Sequence, residues 1–273
     1  MFNLPFWPKN RNSKPKVVYH HPTTGYFKFD SIKVIYCPIP KNSSTFFKSR
    51  LIQANGDAEA LQHSQFPLHS YLRKYSQYWV HDLNLLRESS YLKFAIVRDP
   101  LERVVSAYLN KFVAARRHHP IQAQSIQAYM DLIDASIDPE LSLTFRQFVR
   151  LICQQSDADL DKHWRPQTTF MHGQASHLDW VVPQDQLNAF FPILESHLGF
   201  SISRTRPDNF TRYSRREVSE DVTRLSPRRL RNIGLNPDKE SFLLPELKER
   251  LIQRFAADVE LLNRSREHFL AQV

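Results

Sequence analysis

The sequence predicts an α/β fold, a central parallel sheet flanked by helices on both sides, with a helix-rich C-terminal half. Three observations carry that expectation. Two short apolar segments, KVIYC at 33–37 and KFAIV at 93–97, each run into a loop and then into an amphipathic helical pattern. A third, LDWVV at 178–182, repeats the strand signal. Most of the chain beyond residue 120 keeps its apolar residues at helical spacing. Strands alternating with helices form a parallel sheet covered on both faces, where each strand reads as a nearly continuous apolar run. The chain has 273 residues, 41% of them hydrophobic, enough for one substantial core. Its 17 prolines are scattered, and no internal repeat or low-complexity block divides it. A single domain over 17–273, behind a mobile, basic N-terminal lead over 1–16, is the economical organisation.

Each element has a local reason. KVIYC is β-branched and aromatic and stops at Pro38 and Pro40, so a buried strand gives way to a rigid loop. From Ser43 or Ser44 onward, Phe46, Phe47, Leu51 and Ile52 fall on one helical face, with a hydroxyl residue placed to cap. KFAIV ends at Arg98; Asp99 then stands at an N-cap position, Pro100 at the first helical position and Glu102 in the first turn. Leu101, Val104, Val105, Tyr108 and Phe112 continue that helix. Further helices are expected in LTFRQFVRLICQQ, from Gln186 to Leu198, and in ELKERLIQRFAADVELLNRSREHFL, and Pro183 is expected to start the helix after LDWVV.

Lys and Arg number 37 against 28 Asp and Glu, a net charge of +9, so the natural partners are anions: nucleotides, nucleic acid, acidic glycans or a membrane surface. Residues 1–50 hold nine basic side chains against Asp30 alone, which places the most positive part of the chain around the loop after the first strand. Cys37 and Cys153 are too few for a disulfide framework and read as free thiols in a reducing compartment. No apolar run approaches the roughly 18 residues that cross a bilayer. The opening MFNLPFWPKNRNSK has its basic residues after the apolar patch, the reverse of a signal peptide. A soluble, cytoplasmic protein without stable membrane insertion is expected. The pairs His20–His21 and His118–His119 lack zinc-ligand spacing, so no metal is expected.

The loop in IYCPIPKNSSTFF, 35–47, ends at a helix N-terminus, where unpaired backbone N–H groups and a partial positive charge stabilise a phosphate or sulfate. Lys41 adds a full charge, and Ser43, Ser44 and Thr45 add hydroxyl donors. The loop contains no glycine, which excludes a Walker loop. An ordinary strand-to-helix turn with an exposed lysine fits the same letters. In the second unit Arg98 sits at a strand's carboxyl edge, where open α/β sheets bind ligands, and Ser106 follows two helical turns on. The arginine fork suits an oxyanion; the plainer reading pairs Arg98 with Asp99 or Glu102. Arg103 is expected to be structural.

Together, CPIPKNSST and FAIVRDPLERVVSAYLNKF resemble the carbohydrate sulfotransferases, in particular the branch containing the chondroitin, dermatan and HNK-1 sulfotransferases. The resemblance implies a P-loop-like three-layer fold and the donor PAPS (3′-phosphoadenosine 5′-phosphosulfate), with adenosine 3′,5′-bisphosphate (PAP) as product. It places Lys41, Asn42, Ser43, Ser44 and Thr45 in the loop for the 5′-phosphosulfate, and Arg98 and Ser106 at the 3′-phosphate. LDKHWRPQ, 160–167, is similar to the family's His-Trp stretch, and LLPELKERLIQRFAADVELL to its closing helix. Two departures stand out: the family's cysteine pair after the His-Trp stretch is missing, and so is the N-terminal membrane anchor of animal members. Both point to a soluble, bacterial-type member.

The activity so implied is in-line transfer of a sulfuryl group to a hydroxyl of a carbohydrate or glycoconjugate acceptor. Lys41 would stabilise charge growing on the leaving phosphate, without a metal. A base must take the acceptor's proton, and His163 is the favoured candidate, with Trp164 beside it as a stacking face for a sugar; His172 and His177 are weaker. The segment 203–231 carries nine arginines, among them Arg212, Arg215 and Arg216; it reads as a solvated loop or as a contact for an acidic acceptor. The rival readings are a P-loop-type nucleotide kinase, for which the glycine-rich loop is absent, and a non-enzymatic basic module binding acidic glycan or RNA. No RNA-recognition motif is visible, so nucleic acid is not the expected partner.

Overall fold

Alternation within each strand decides the architecture. The structure, a computed structural model, describes residues 25–115, 119–138, 141–204, 220–233 and 237–272. The lead over 1–16, His20 and His21, His118, and Arg212, Arg215 and Arg216 lie outside the described residues. Strands β1 (Phe27–Phe29), β2 (Val34–Cys37), β3 (Leu92–Val97) and β4 (Trp180–Pro183) form one sheet in the order β1-β2-β3-β4. β2 and β3 pair in parallel, Cys37 beside Ala95, and so do β3 and β4, Val97 beside Pro183. The mostly parallel sheet is the expected one; the antiparallel pairing of β1 with β2 is an addition.

The helices are α1 (Ser44–Ala54), α2 (Ala58–His63), α3 (Leu68–Lys74), α4 (Pro100–Tyr108), α5 (Pro120–Leu132), α6 (Phe145–Gln154), α7 (Leu187–Leu198), α8 (Pro227–Asn232), α9 (Pro245–Arg254) and α10 (Ala256–Gln272). Val34, Tyr36, Phe94 and Ile96 point to one side of the sheet, against Phe47, Leu51 and Ile52 of α1, Leu72 of α3 and Phe190 and Leu194 of α7. Their neighbours Ile35, Cys37, Ala95 and Val97 point to the other, against Leu261 and Leu262 of α10. Both faces are therefore buried, which gives three layers. Each such Val, Leu, Ile or Phe side chain contributes about 1.5–3 kcal/mol against exposure. A separate, all-helical core gathers α4, α5, α6, α8 and α9 around Tyr108, Phe112, Phe148 and Trp164.

Several boundaries differ from expectation. Pro183 closes β4 in extended backbone, and a short 3-10 turn, Gln184–Gln186, precedes α7. The C-terminal helical stretch breaks at Phe255, φ −113° and ψ 30°, and the ring of Phe255 is buried in the helical core. Ser43 occupies the N-cap position of α1, yet its side chain caps nothing. Asp99 does cap α4: its carboxylate accepts from the N–H groups of Leu101 and Glu102 at 2.9 and 3.0 Å. Among the described residues no helix is long and apolar enough to cross a membrane.

Candidate active site

The order of the sheet brings the loops after β2 and β3 side by side at one carboxyl edge. The first solves its lack of glycine by strain. Lys41 and Ser43 both adopt left-handed backbone, φ 72° and 57°, a conformation that costs a side-chain-bearing residue about 1–3 kcal/mol. Between them Asn42 is fully buried, and its amide nitrogen donates to the Ile96 carbonyl at 2.9 Å and to Gln167 Oε1 at 2.5 Å. The tight turn delivers the chain to α1 with its first N–H groups uncapped, because the Ser43 hydroxyl instead accepts from Gln184 Nε2 at 3.1 Å. A left-handed residue running into a helix is a concave set of N–H donors suited to an anion.

Arg98 follows the last residue of β3. Its Nη1 donates to the Lys41 carbonyl at 3.4 Å, and its Nη2 meets Glu102 Oε2 at 3.3 Å. The plainer pairing with Glu102 is thus present, and the same side chain reaches the Lys41 loop. Lys239 also pairs with Glu102. Arg103, one turn into α4, is 1% exposed and donates to the carbonyls of Pro40, Lys162 and Arg165 at 3.0, 3.2 and 2.7 Å. It is a structural clamp on the loop, as expected.

Lys41, Ser43, Ser44, Thr45, Arg98, Ser106 and His163 all line one cleft of about 1200 Å³. Asn42 lies behind the cleft wall and fixes the loop. His172 and His177 do not line it, and His119 is spent on the N-terminus of α5, where its ring accepts from Ile121 N–H at 3.3 Å.

The cleft is strongly basic. Burial, reinforced by Lys111, Arg98 and Arg103, brings Lys41 down to about 8. Burial also lowers His163, against the opposing pull of Asp161, whose Oδ1 lies 2.5 Å from His163 Nδ1. A carboxylate can only accept, so Nδ1 carries the proton and Nε2 keeps a free lone pair.

Trp164 corrects an expectation. It is 2% exposed, packed edge-on to Phe148 at 5.0 Å between ring centres, and so offers no face to a sugar. Its apolar bulk anchors the segment that carries His163.

Sequence reasoning passed over two parts of the wall. Lys48, 9% exposed, lies on the apolar stripe of α1 between Phe47 and Leu51; a lysine at a core-facing position was the signal. Lys111 sits in a π-helical turn, Leu109–Val113, that widens the end of α4 and faces it to the cleft. Gln167, the last residue of LDKHWRPQ, lies behind the cleft, fully buried, and its backbone N–H donates to Asp258 of α10 at 2.7 Å.

Carbohydrate sulfotransferase 11 of Danio rerio is 28% identical over 161 residues, 55% of this chain and 46% of that protein. Carbohydrate sulfotransferase 14 of Mus musculus is 33% identical over 107 residues, 38% of this chain and 27% of that one. Carbohydrate sulfotransferase 10 of Xenopus laevis is 34% identical over 99 residues, 34% of this chain and 28% of that one. The chain thus spans about half, or less, of the length of these curated relatives. No solved structure matches it. The profile of the sulfotransferase family matches residues 24–263, from just before β1 into α10, and the chain belongs to that family.

Proposed function

We propose that the protein is a PAPS-dependent carbohydrate sulfotransferase. The observation that carries this reading is the contact between Arg98 and the Lys41 loop, which puts two cationic strand tips in one cleft. The cleft fits such a nucleotide: the loop and the uncapped end of α1 suit its 5′ end, and Arg98 with Ser106 suit its 3′-phosphate. When bound, the donor supplies an activated sulfuryl group.

The remaining work falls to the chain itself. Lys41 and the N–H groups of α1 stabilise negative charge at the 5′ end as it grows, which is where preorganised donors help most. His163, held by Asp161 in the tautomer with Nε2 unprotonated, accepts the proton of an acceptor hydroxyl. Arg103, Asn42 and Gln167 keep the loop in its strained form without touching ligand.

The test is incubation with sulfur-labelled PAPS and a panel of glycans, with native protein and Lys41→Met. Label entering a glycan fraction with the native protein, and lost in the variant, is expected. Label transfer to no glycan, or equal transfer by Lys41→Met, would overturn the reading.

A further inference from the structure

The end of α4 is built to present one lysine. The Ala114 N–H bonds the Leu109 carbonyl, five residues back, at 2.7 Å, which makes Leu109–Val113 a π-turn. Such turns are rare and concentrate at functional sites. Ser106 and Asn110, four residues apart, share the cleft side of this helix. In a regular helix, at about 3.6 residues per turn, the fifth residue after Ser106 would stand well round from that side. The wider turn absorbs the extra residue, and Lys111 lines the cleft with them.

The carbonyls of this turn are secured from outside it. Gln122 of α5, 5% exposed, donates its Nε2 to the Lys111 carbonyl at 2.8 Å. Arg231 of α8 donates its Nη1 to the Phe112 and Val113 carbonyls, both at 3.0 Å, so the last arginine of the 203–231 segment serves the turn. The Lys111 ammonium is left unspent: among the described residues no hydrogen bond or ion pair engages it. Asp161 is the carboxylate that acts on it, and that carboxylate is held by His163 Nδ1.

Lys111 is close to both ends of the reaction. After burial it is the foremost influence on Lys41, and it is the foremost cation acting on His163; it acts on Lys162 as well. Lys41 serves the leaving oxygen and His163 the attacking one. A cation near both stands beside the group that passes between them, whose equatorial oxygens carry spread negative charge in such transfers.

Resting on the sulfotransferase reading, we infer that Lys111 is a catalytic residue whose ammonium contacts the non-bridging sulfuryl oxygens during transfer, and that Gln122 and Arg231 position it through the π-turn. As the acceptor oxygen bonds to sulfur, the bond from sulfur to the leaving phosphate oxygen breaks and its electron pair departs on the bisphosphate. His163 Nε2 takes the acceptor's proton, and Lys111 keeps its own protons throughout.

The experiment uses sulfur-labelled PAPS, the glycan of the panel that takes up most label, and four proteins: native, Lys111→Met, Arg231→Met and the double variant. Lys111→Met should lower turnover at saturating donor and glycan by about 10²–10³-fold, the usual loss for one such donor. Its affinity for adenosine 3′,5′-bisphosphate, which lacks the sulfuryl group, should change less than about threefold, as fits a contact made in the transition state alone. Release of labelled sulfate into water without glycan should fall too, because the same bond breaks. Arg231→Met should lower turnover by about tenfold in the native background and add nothing to Lys111→Met, since it acts through that residue. Native turnover in Lys111→Met would overturn the proposal. So would bisphosphate affinity falling in step, which would give Lys111 to the donor's phosphates, or a loss confined to the KM for glycan with sulfate release intact, which would give it to the acceptor. Full additivity of the two substitutions would overturn the positioning role of Arg231. Native protein that transfers label to no glycan and releases no sulfate would count against the sulfotransferase reading itself, and the role of Lys111 would fall with it.

Discussion

Gln167 holds Arg98 from both sides: its Oε1 accepts from the Arg98 N–H at 2.9 Å, and its Nε2 donates to the Arg98 carbonyl at 2.8 Å. The same Oε1 accepts from Asn42, so one buried amide ties together the two loops that form the cleft. Gln167→Leu keeps the volume and removes all three bonds. Each buried group left unpaired costs about 1–3 kcal/mol, so a clearly lower melting temperature is expected. Adenosine 3′,5′-bisphosphate should also bind more weakly, because Arg98 and the Lys41 loop lose their common support. Calorimetry and thermal melts check both.

Lys41, lowered to about 8, is charged below that pH and neutral above it. An anion that needs the ammonium is therefore bound at full strength below about 8, and its affinity falls by up to about tenfold per unit as pH rises further. Lys41→Arg keeps a positive charge throughout, and its affinity should stay flat over the same range. Titrations of the bisphosphate between pH 6 and pH 10 measure both profiles, with the window set around Lys41.

His163 is expected to act on turnover alone. His163→Ala should lower the transfer rate by about 10²–10⁴-fold while bisphosphate affinity stays at the native value. Because burial depresses this imidazole, the acid limb of the rate profile should lie below the ordinary histidine value of about 6.5. Asp161→Asn should slow transfer as well, since the carboxylate selects the tautomer. Steady-state rates against pH test all three.

Lys48 makes a claim about stability. Its folded value is about 7, well under the ordinary lysine range. Below pH 7 the folded protein must hold a buried cation, so its contribution is unfavourable there. As pH rises from about 7 towards the unfolded value near 10.4 the penalty fades, because the unfolded chain binds the proton more tightly. Lys48→Met should thus raise the melting temperature most at low pH, with the difference vanishing near pH 10. Melts in chloride buffers at several pH values would show it.

Trp164→Ala should cost about 3–5 kcal/mol, the usual range for emptying a large buried aromatic site, and Trp164→Phe much less. A saccharide-binding defect at unchanged stability would contradict the core role assigned to it.

Much of the frame was legible because local chemistry and global position agree. The Asp99–Pro100 helix start, the apolar runs of β2, β3 and β4, and the positions of Lys41 and Arg98 at strand ends followed from residue type and spacing, whereas Ser106 was singled out by the family resemblance. β1 was not legible, since three residues, Phe27–Phe29, carry too little alternation to mark a strand. Trp164 was misread because a tryptophan suits a sugar face and a core equally well; only Phe112 and Phe148, distant in sequence, decide between them. Gln167 gave no local signal, as its role exists only through partners brought near by the fold. The left-handed Lys41 and Ser43 were hidden for a related reason: the clamps that hold them come from Arg103 and Gln184.

The central claim is that one nucleotide spans the Lys41 loop and Arg98. The most direct measurement compares adenosine 3′,5′-bisphosphate with adenosine 5′-monophosphate by calorimetry, in native protein and in Arg98→Ala. Removing the 3′-phosphate should weaken binding to the native protein by about tenfold or more and leave Arg98→Ala almost indifferent. If Arg98→Ala discriminates between the two ligands as well as the native protein does, Arg98 does not meet the 3′-phosphate and the account fails.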